Sequence, residues 1–379
     1  MIVGLFLILA IYIGLILNLS IAFDKVKPFT NDSETARTTF SIVIPFRNEA
    51  DNLNALLRSL ANQNYPKELF EIILVDDDSQ DESIKIINTF STTYHSQTNH
   101  LNLNLLNNKR LSDSPKKDAI TTAIAIAKNA WIVTTDADCI AQNEWLTTID
   151  SFINQHHPKM IVAPVNFHSV DSFFNNFQWL DVMSLQASTI AGFGLNKPFL
   201  CNGANLAYEK ELFNELNGFK NNDTIASGDD IFFLETTLKK YPTHISYLKD
   251  INATVYTKPE SNLSNLFHQH VRWAGKTSAY NNAFGKWVGF IILLMNASVI
   301  CAIALGITQL IPVGYMLLIV WLKAMTDVLL IKKAVRFHNQ YICWKYYILS
   351  SLLYPFFTVS VVVYAMLFRY KWKGRRFKK

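Results

Sequence analysis

Hydrophobic residues in this 379-residue chain gather at its two ends. Residues 2–23, IVGLFLILAIYIGLILNLSIAF, are interrupted only by Asn18 and Ser20, and about 20 apolar residues suffice for a helix to span a bilayer. No basic stretch precedes the run and no small-residue cleavage site follows it, so it predicts an uncleaved anchor rather than a signal peptide. A second apolar block, residues 287–331, is about twice a spanning length, with a bend expected at 309–312. A third, residues 347–368, carries Pro355, which a spanning helix tolerates.

The middle alternates between two periods. FSIVIPF (40–46) is a short strand-like run, and the segment after it places Leu53, Leu56, Leu57 and Leu60 at helical spacing. FEIILVDDDSQDES repeats the arrangement, with Ser79 as the expected N-cap of the next helix. LNLNLL then alternates, KKDAITTAIAIAKNA reads as a helix, and WIVTTDADC is a strand with a polar end. This alternation predicts an α/β fold, a parallel sheet with crossover helices. Ligands of such sheets bind beyond the carboxyl ends of the strands, where Arg47, Asn48 and Glu49, then Asp76, Asp77 and Asp78, then Asp136 and Asp138 fall.

Charge and composition add a topological expectation. The net charge of +5 comes largely from the tail RYKWKGRRFKK, which holds seven Lys and Arg. By the positive-inside rule Lys25 and Lys27 place the middle domain in the cytosol. Four crossings would then put the basic tail outside, so one of the three C-terminal segments is expected to be re-entrant or interfacial. Beside an apolar segment the tail reads as a membrane-surface element, and no nucleic acid is expected as a partner. Cys139, Cys201, Cys301 and Cys343 form no C-x-x-C pair, which fits a reduced cytosolic domain. His156, His157, His168 and His244 have no zinc spacing.

No G-x-G-x-x-G or G-x-x-x-x-G-K-[ST] loop is present. The site offers acid instead, and carboxylates hold a diphosphate only through a hard cation, Mg²⁺ or Mn²⁺. Asp136 and Asp138, two apart on an extended segment, point to one side. Taken alone, such a pair can equally form an Asx-type turn.

Six motifs in order, SIVIPFRNE, ILVDDDSQD, TTDADC, CNGANLAYEKELFNELNGF, SGDDIFFL and QHVRW, make the chain resemble family 2 glycosyltransferases with the A-type (GT-A) nucleotide-sugar fold, Rossmann-like and mostly parallel. The span layout resembles that of membrane-anchored bacterial members. The resemblance implies donor-binding roles for Pro45, Glu49, Asp76, Asp77, Asp136 and one of Lys116 or Lys117, with Asp138 and Asp136 on the metal. It implies acceptor or diphosphate contacts at Gly203, Asn205, Gln269, Arg272 and Trp273, and it puts the catalytic base at Asp230 beside Asp229. The usual DDGS has glycine where this chain has Asp78, a departure expected to reshape the turn.

The chemistry makes matching demands. Loss of a nucleoside diphosphate needs charge neutralisation, and the acceptor hydroxyl needs a base. One base without a carboxylate nucleophile gives direct displacement with inversion. The competing readings are structural: Asp229 and Asp230 can simply cap a helix, and NLFHQHVRWAGK, with Gln269, Arg272, Trp273 and Lys276 on one face, can be a plain interfacial helix.

The sequence therefore predicts an anchor (1–23), a linker (24–37), a GT-A catalytic domain (38–261), an amphipathic interfacial helix (262–286), a C-terminal membrane region of two to three segments (287–368) and a basic tail (369–379). The expected activity is an inverting, metal-dependent glycosyltransferase of the cytoplasmic membrane. Its expected donor is a UDP-sugar and its acceptor a lipid or lipid-linked hydroxyl. The alternatives are a processive polysaccharide synthase subunit working with a partner pore, and a catalytically silent nucleotide-sugar-binding scaffold. A transporter is disfavoured because Lys323 and Asp327, four apart, can pair with each other.

Overall fold

A computed structural model describes residues 1–31, 35–95, 101–168, 171–220, 227–368, 371–372 and 375–376. In chain order it contains α1 (Ile2–Lys25), β1 (Phe40–Phe46), α2 (Ala50–Ala61), β2 (Phe70–Asp76), α3 (Ser83–His95), β3 (Asn102–Asn107), α4 (Pro115–Ile126), β4 (Trp131–Thr134), β5 (Ile140–Ala141), α5 (Trp145–His156), β6 (Met160–Val162) and β7 (Val165–Phe167). There follow α6 (Phe173–Gly194), β8 (Leu206–Glu209), α7 (Lys210–Glu215), α8 (Asp229–Lys240), β9 (Ile245–Tyr247), β10 (Val255–Thr257), α9 (Leu263–Lys276), α10 (Ala283–Ile307), α11 (Val313–Phe337), α12 (Trp344–Leu367), β11 (Lys371–Trp372) and β12 (Arg375–Arg376).

These elements form two compact units. The first, Lys27–His168 with Cys201–Lys258, holds a seven-stranded sheet in the order β3-β2-β1-β4-β8-β6-β9. β3, β2, β1 and β4 are mutually parallel, and only β8 runs against its neighbours β4 and β6. β2 is buried along its whole length, as expected of a parallel strand covered on both faces. Leu53, Leu56, Leu57 and Leu60 of α2 are fully buried in the same core, each burial stabilising the fold by roughly 2 kcal/mol. The β1–β4 pairing stops at Val43 with Thr134. Pro45, which has no N–H to donate, lies past that point, where the sheet opens. A small sheet, β5-β10-β7, completes the unit.

The helix after β2 begins later than expected. α3 starts at Ser83, whose N–H donates to Asp81 Oδ1 at 3.0 Å, while Ser79 Oγ accepts from the Asn48 N–H at 2.9 Å. Asp81, not Ser79, therefore serves the helix N-terminus.

The second unit, Met1–Val26, Ser169–Leu200 and Pro259–Lys379, is helical apart from β11 and β12. The segment expected as one catalytic domain, 38–261, is thus interrupted: α6, apolar over most of its length, groups with the long helices. α1, α10, α11 and α12 are long and apolar enough to cross a membrane. The expected bend is observed, with α10 ending at Ile307, Gln309 at φ 56° and α11 starting at Val313. The C-terminal region holds three helices, and Pro355 lies inside α12. The expected 262–286 helix is divided, α9 ending at Lys276 and α10 beginning at Ala283. Lys323 pairs with Asp327 at 2.7 Å, as the spacing suggests, and Tyr12 of α1 also donates to Asp327.

Candidate active site

The carboxyl ends of β1 and β2 build the first part of the site. Parallel register brings Phe46 opposite Asp76, so the segments after both strands emerge side by side. Asp76 is buried and accepts the Ser79 N–H at 3.0 and 3.2 Å, which closes the turn. Asp78 sits within that turn at φ 65°, left-handed backbone that suits glycine and is tolerated by Asp. Asp78 thus holds a backbone conformation that glycine would also adopt. Asp77 faces a basic group. Its Oδ1 accepts from Asn108 Nδ2 at 2.8 Å and lies 3.3 Å from Arg110 Nη1. Arg47 Nη1 is 3.9 Å from Asp77 Oδ2 and also donates to the Asp77 carbonyl.

The second part joins β4, α4, β8 and α8. Thr134, the last residue of β4, donates Oγ1 to the Gly203 carbonyl at 2.8 Å. Gly203 in turn donates its N–H to Asp230 Oδ2 at 3.1 Å. Gly228, at φ 84°, turns the chain into α8 so that Asp229 and Asp230 occupy its first turn, where carboxylates suit the positive end of the helix dipole. Lys116, in the first turn of α4, reaches Asp136 Oδ1 at 2.7 Å and Asp229 Oδ2 at 3.5 Å. Burial alone would lower the Lys116 pKa, but Asp136 and Asp229 outweigh it and hold the ammonium above the usual lysine range.

Asp138 is the most perturbed acid of the group. Burial first, then the charges of Asp136 and Glu49, push its carboxyl up to about 6, and Thr257 Oγ1 at the end of β10 donates to it at 3.1 Å. Burial together with like charge is the arrangement a cation relieves, so the donor set of Asp136 and Asp138 fits a hard divalent ion. Neighbouring Cys139 is buried, and burial raises its thiol well above the ordinary value, which suits a core residue rather than a nucleophile.

The unit thus brings together Glu49, Lys116, Asp136, Asp138, Gly203, Asp229 and Asp230, with Asp76 and Asp77 in the neighbouring turn. Two expected residues lie elsewhere. Lys117 is buried with Nζ 4.9 Å from the centroid of the Phe232 ring, because it follows Lys116 on α4 by one residue and so faces the core. Asn205 is a buried strut: its Oδ1 accepts from Trp145 Nε1 at 3.0 Å and its Nδ2 donates to the Pro164 and Ala253 carbonyls at 2.7 and 2.8 Å. Those bonds occupy both N–H groups of the amide and one lone pair of its oxygen, and tie the residue into the core. Sequence reasoning passed over Thr257, Thr134 and Arg110. Of these, Arg110, three residues past the end of β3, shares the carboxyl-end placement that marked the acids.

Gln269, Arg272 and Trp273 lie on α9 in the helical unit. Gln269 Nε2 donates to Glu260 Oε1 at 2.9 Å, and the Trp273 ring packs 4.8 Å from that of His270. His270 Nε2 lies 3.4 Å from Asp181 Oδ2 on α6. Burial lowers the His270 pKa, with Asp181 opposing.

Residues 41–216 match the family described as Glycosyl transferase family 2. Residues 41–216, a little under half of the chain, are thus a family 2 glycosyltransferase domain, and its sheet is Rossmann-like and mostly parallel. Among curated proteins, poly(ribitol-phosphate) beta-N-acetylglucosaminyltransferase TarS of Staphylococcus aureus is 30% identical over 123 residues, 32% of this chain and 20% of that protein. Poly(ribitol-phosphate) beta-glucosyltransferase of Bacillus spizizenii is 40% identical over 98 residues, 26% of this chain and 14% of that protein. The chain therefore matches a fifth or less of the length of these relatives. Among solved structures, the mannosyltransferase PcManGT from Pyrobaculum calidifontis, in complex with GDP-Man and Mn²⁺, superposes with a TM-score of 0.59 at 16% identity. That superposition covers 89% of this chain and 98% of PcManGT, and it shows a common fold.

Proposed function

We propose that this protein is an inverting glycosyltransferase that moves a sugar from a nucleoside-diphosphate sugar to a hydroxyl of a lipid or lipid-linked acceptor at the cytosolic face of a membrane. The observation that carries the proposal is the convergence of Asp136, Lys116, Asp229 and Asp230 at the carboxyl end of the sheet. Asp230, oriented by the Gly203 N–H, takes the acceptor proton as the hydroxyl oxygen attacks the anomeric carbon and the bond to the diphosphate breaks. A single attack of this kind inverts the anomeric configuration. Lys116 stands beside the acids where the leaving diphosphate gathers charge.

Asp138 and Asp136 would hold Mg²⁺ or Mn²⁺, which supplies charge neutralisation for the diphosphate when bound. The Mn²⁺ in the PcManGT complex supports a divalent ion here. Asp77, between Arg47 and Arg110, suits the base and ribose of the nucleotide, and Glu49 its nucleoside side. The four long apolar helices support the membrane location, and Lys25 and Lys27 support a cytosolic catalytic unit.

The test incubates membranes bearing the protein with labelled UDP- and GDP-sugars and Mg²⁺ or Mn²⁺. Label is expected in the lipid extract and is expected to disappear on chelation. Label confined to insoluble polymer would favour a processive synthase, and donor binding without any transfer would favour a silent scaffold.

A further inference from the structure

The helical unit contains a topological contradiction if all four long helices cross. The turn at 308–312 sends α10 and α11 in opposite directions, so Ala283 and Phe337 stand at one membrane face and the turn at the other. α1 ends at the first face as well, because Asp24 pairs with Lys333 near the end of α11. α9 is tied to that face by the six residues between Lys276 and Ala283, and its Asn265, His268 and Arg272 keep it out of hydrocarbon. α12 starts there too, with six residues between Phe337 and Trp344.

A helix of this length measures about 36 Å, against a hydrocarbon core of about 30 Å. Had α12 crossed, its last two turns would lie at the opposite face. They lie instead on α9. Val361 and Ala365 form an apolar cluster with Val271. The Phe267 ring packs 5.4 Å from that of Tyr364 and 6.2 Å from that of Phe357. His270 packs 5.0 Å from Phe357. β11, immediately beyond, also packs against α9.

We infer that α12 does not cross the bilayer: it lies in the membrane face beside α9, leaving α1, α10 and α11 as the three crossings and the β11–β12 hairpin on the side where α1 ends. This rests on the membrane location proposed above. Its partner is one leaflet. Ile348, Leu349, Leu352, Leu353 and Phe356 are exposed on the protein and meet acyl chains, while Lys345 meets anionic headgroups. Tyr347, Ser350 and Tyr354 on its inner side line a cavity of about 650 Å³ that Tyr12, Lys323 and Asp327 also line. α12 is thus a wall between that cavity and the leaflet. Three crossings also collect Lys25, Lys27, Lys332, Lys333, Arg336 and the tail on one side, as the positive-inside rule requires.

The experiment uses the full chain in sealed, oriented membrane vesicles. Cys139, Cys201, Cys301 and Cys343 are replaced by Ser, and Thr30→Cys, Gln309→Cys or Arg375→Cys is introduced for labelling with an impermeant maleimide. Arg375→Cys is expected to label from the same side as Thr30→Cys, and Gln309→Cys from the other. Labelling of Arg375→Cys together with Gln309→Cys would overturn the inference and leave the membrane reading intact. Labelling of Gln309→Cys together with Thr30→Cys would remove the α10–α11 crossing and overturn both. Should the cysteine-replaced protein not fold, epitope tags on both termini of the wild-type chain give the same answer by protease digestion. An odd number of crossings puts the tags on opposite sides, and tags on one side contradict it.

Discussion

Gly203 and Asp230 meet through the peptide backbone: the Gly203 N–H donates to the Asp230 carboxylate at 3.1 Å, and the Gly203 carbonyl is fixed to β4 through Thr134. The acid proposed as the base is therefore oriented by the sheet and not by its own helix alone. A Cβ at position 203 would lie 3.0 Å from Asp229 Oδ2 and 3.5 Å from both Asp230 Cβ and Lys116 Nζ. Gly203→Ala is thus expected to shift the acids by a few tenths of an ångström. We predict a loss of kcat on the order of tenfold with donor Kd nearly unchanged. Steady-state transfer rates alongside donor titration check this, and an unaltered kcat would detach Gly203 from the acids.

Lys116 and Lys117 are neighbours with opposite surroundings. Lys116→Met is expected to lower transfer by about a hundredfold, since it removes the cation proposed to stand beside the leaving group. Lys117→Met, close in volume and buried against Phe232, is expected to keep most of the activity. The reverse ranking in an initial-rate assay would assign the role to Lys117.

Asn205 makes a stability prediction. Asn205→Ala strands Trp145 Nε1 and the Pro164 and Ala253 carbonyls in the core, and each buried unsatisfied group costs about 1–3 kcal/mol. Thermal unfolding of the purified protein should show a clear fall in midpoint. Wild-type stability combined with a raised acceptor KM would restore Asn205 as an acceptor contact.

The Asp138 carboxyl carries a pH prediction for the metal-free protein. Its folded pKa of about 6 lies above the unfolded value, so protonation favours the fold. That stabilisation is complete below about pH 4, the ordinary carboxylate range, and is lost as pH rises through 6. With a chelator present, wild type should lose stability relative to Asp138→Asn between pH 4 and pH 7, and added Mg²⁺ or Mn²⁺ should restore it only in wild type. Parallel melting curves for the two proteins would refute this account of the acidic pair.

The sequence made legible what is local. Each strand and crossover helix from β1 to β4 is a short segment with its own period, and the acids stand out because polar residues interrupt apolar strands at their carboxyl ends. Long-range partners were invisible. Asn205 sits in a motif that looks acceptor-facing, yet Trp145, Pro164 and Ala253 claim its amide group. Thr257 reaches Asp138 from 119 positions away, and no local pattern marks it. α6 reads as part of a continuous catalytic segment, but its apolar length belongs to the helical unit. Asp78 shows the converse, a departure from motif in residue type at a position whose left-handed backbone also suits glycine.

The central claim is that Asp230 removes the acceptor proton, and Asp230→Asn tests it most directly. Its amide oxygen can still accept the Gly203 N–H, while the bond that Oδ1 accepts from the Ile231 N–H at 2.8 Å is given up, so the link to Gly203 is kept and the base is lost. The measurement is single-turnover transfer of labelled sugar, with donor affinity determined on the same preparation. The account predicts donor binding within about twofold of wild type and transfer reduced by roughly 10²–10⁴. Transfer at the wild-type rate would contradict it.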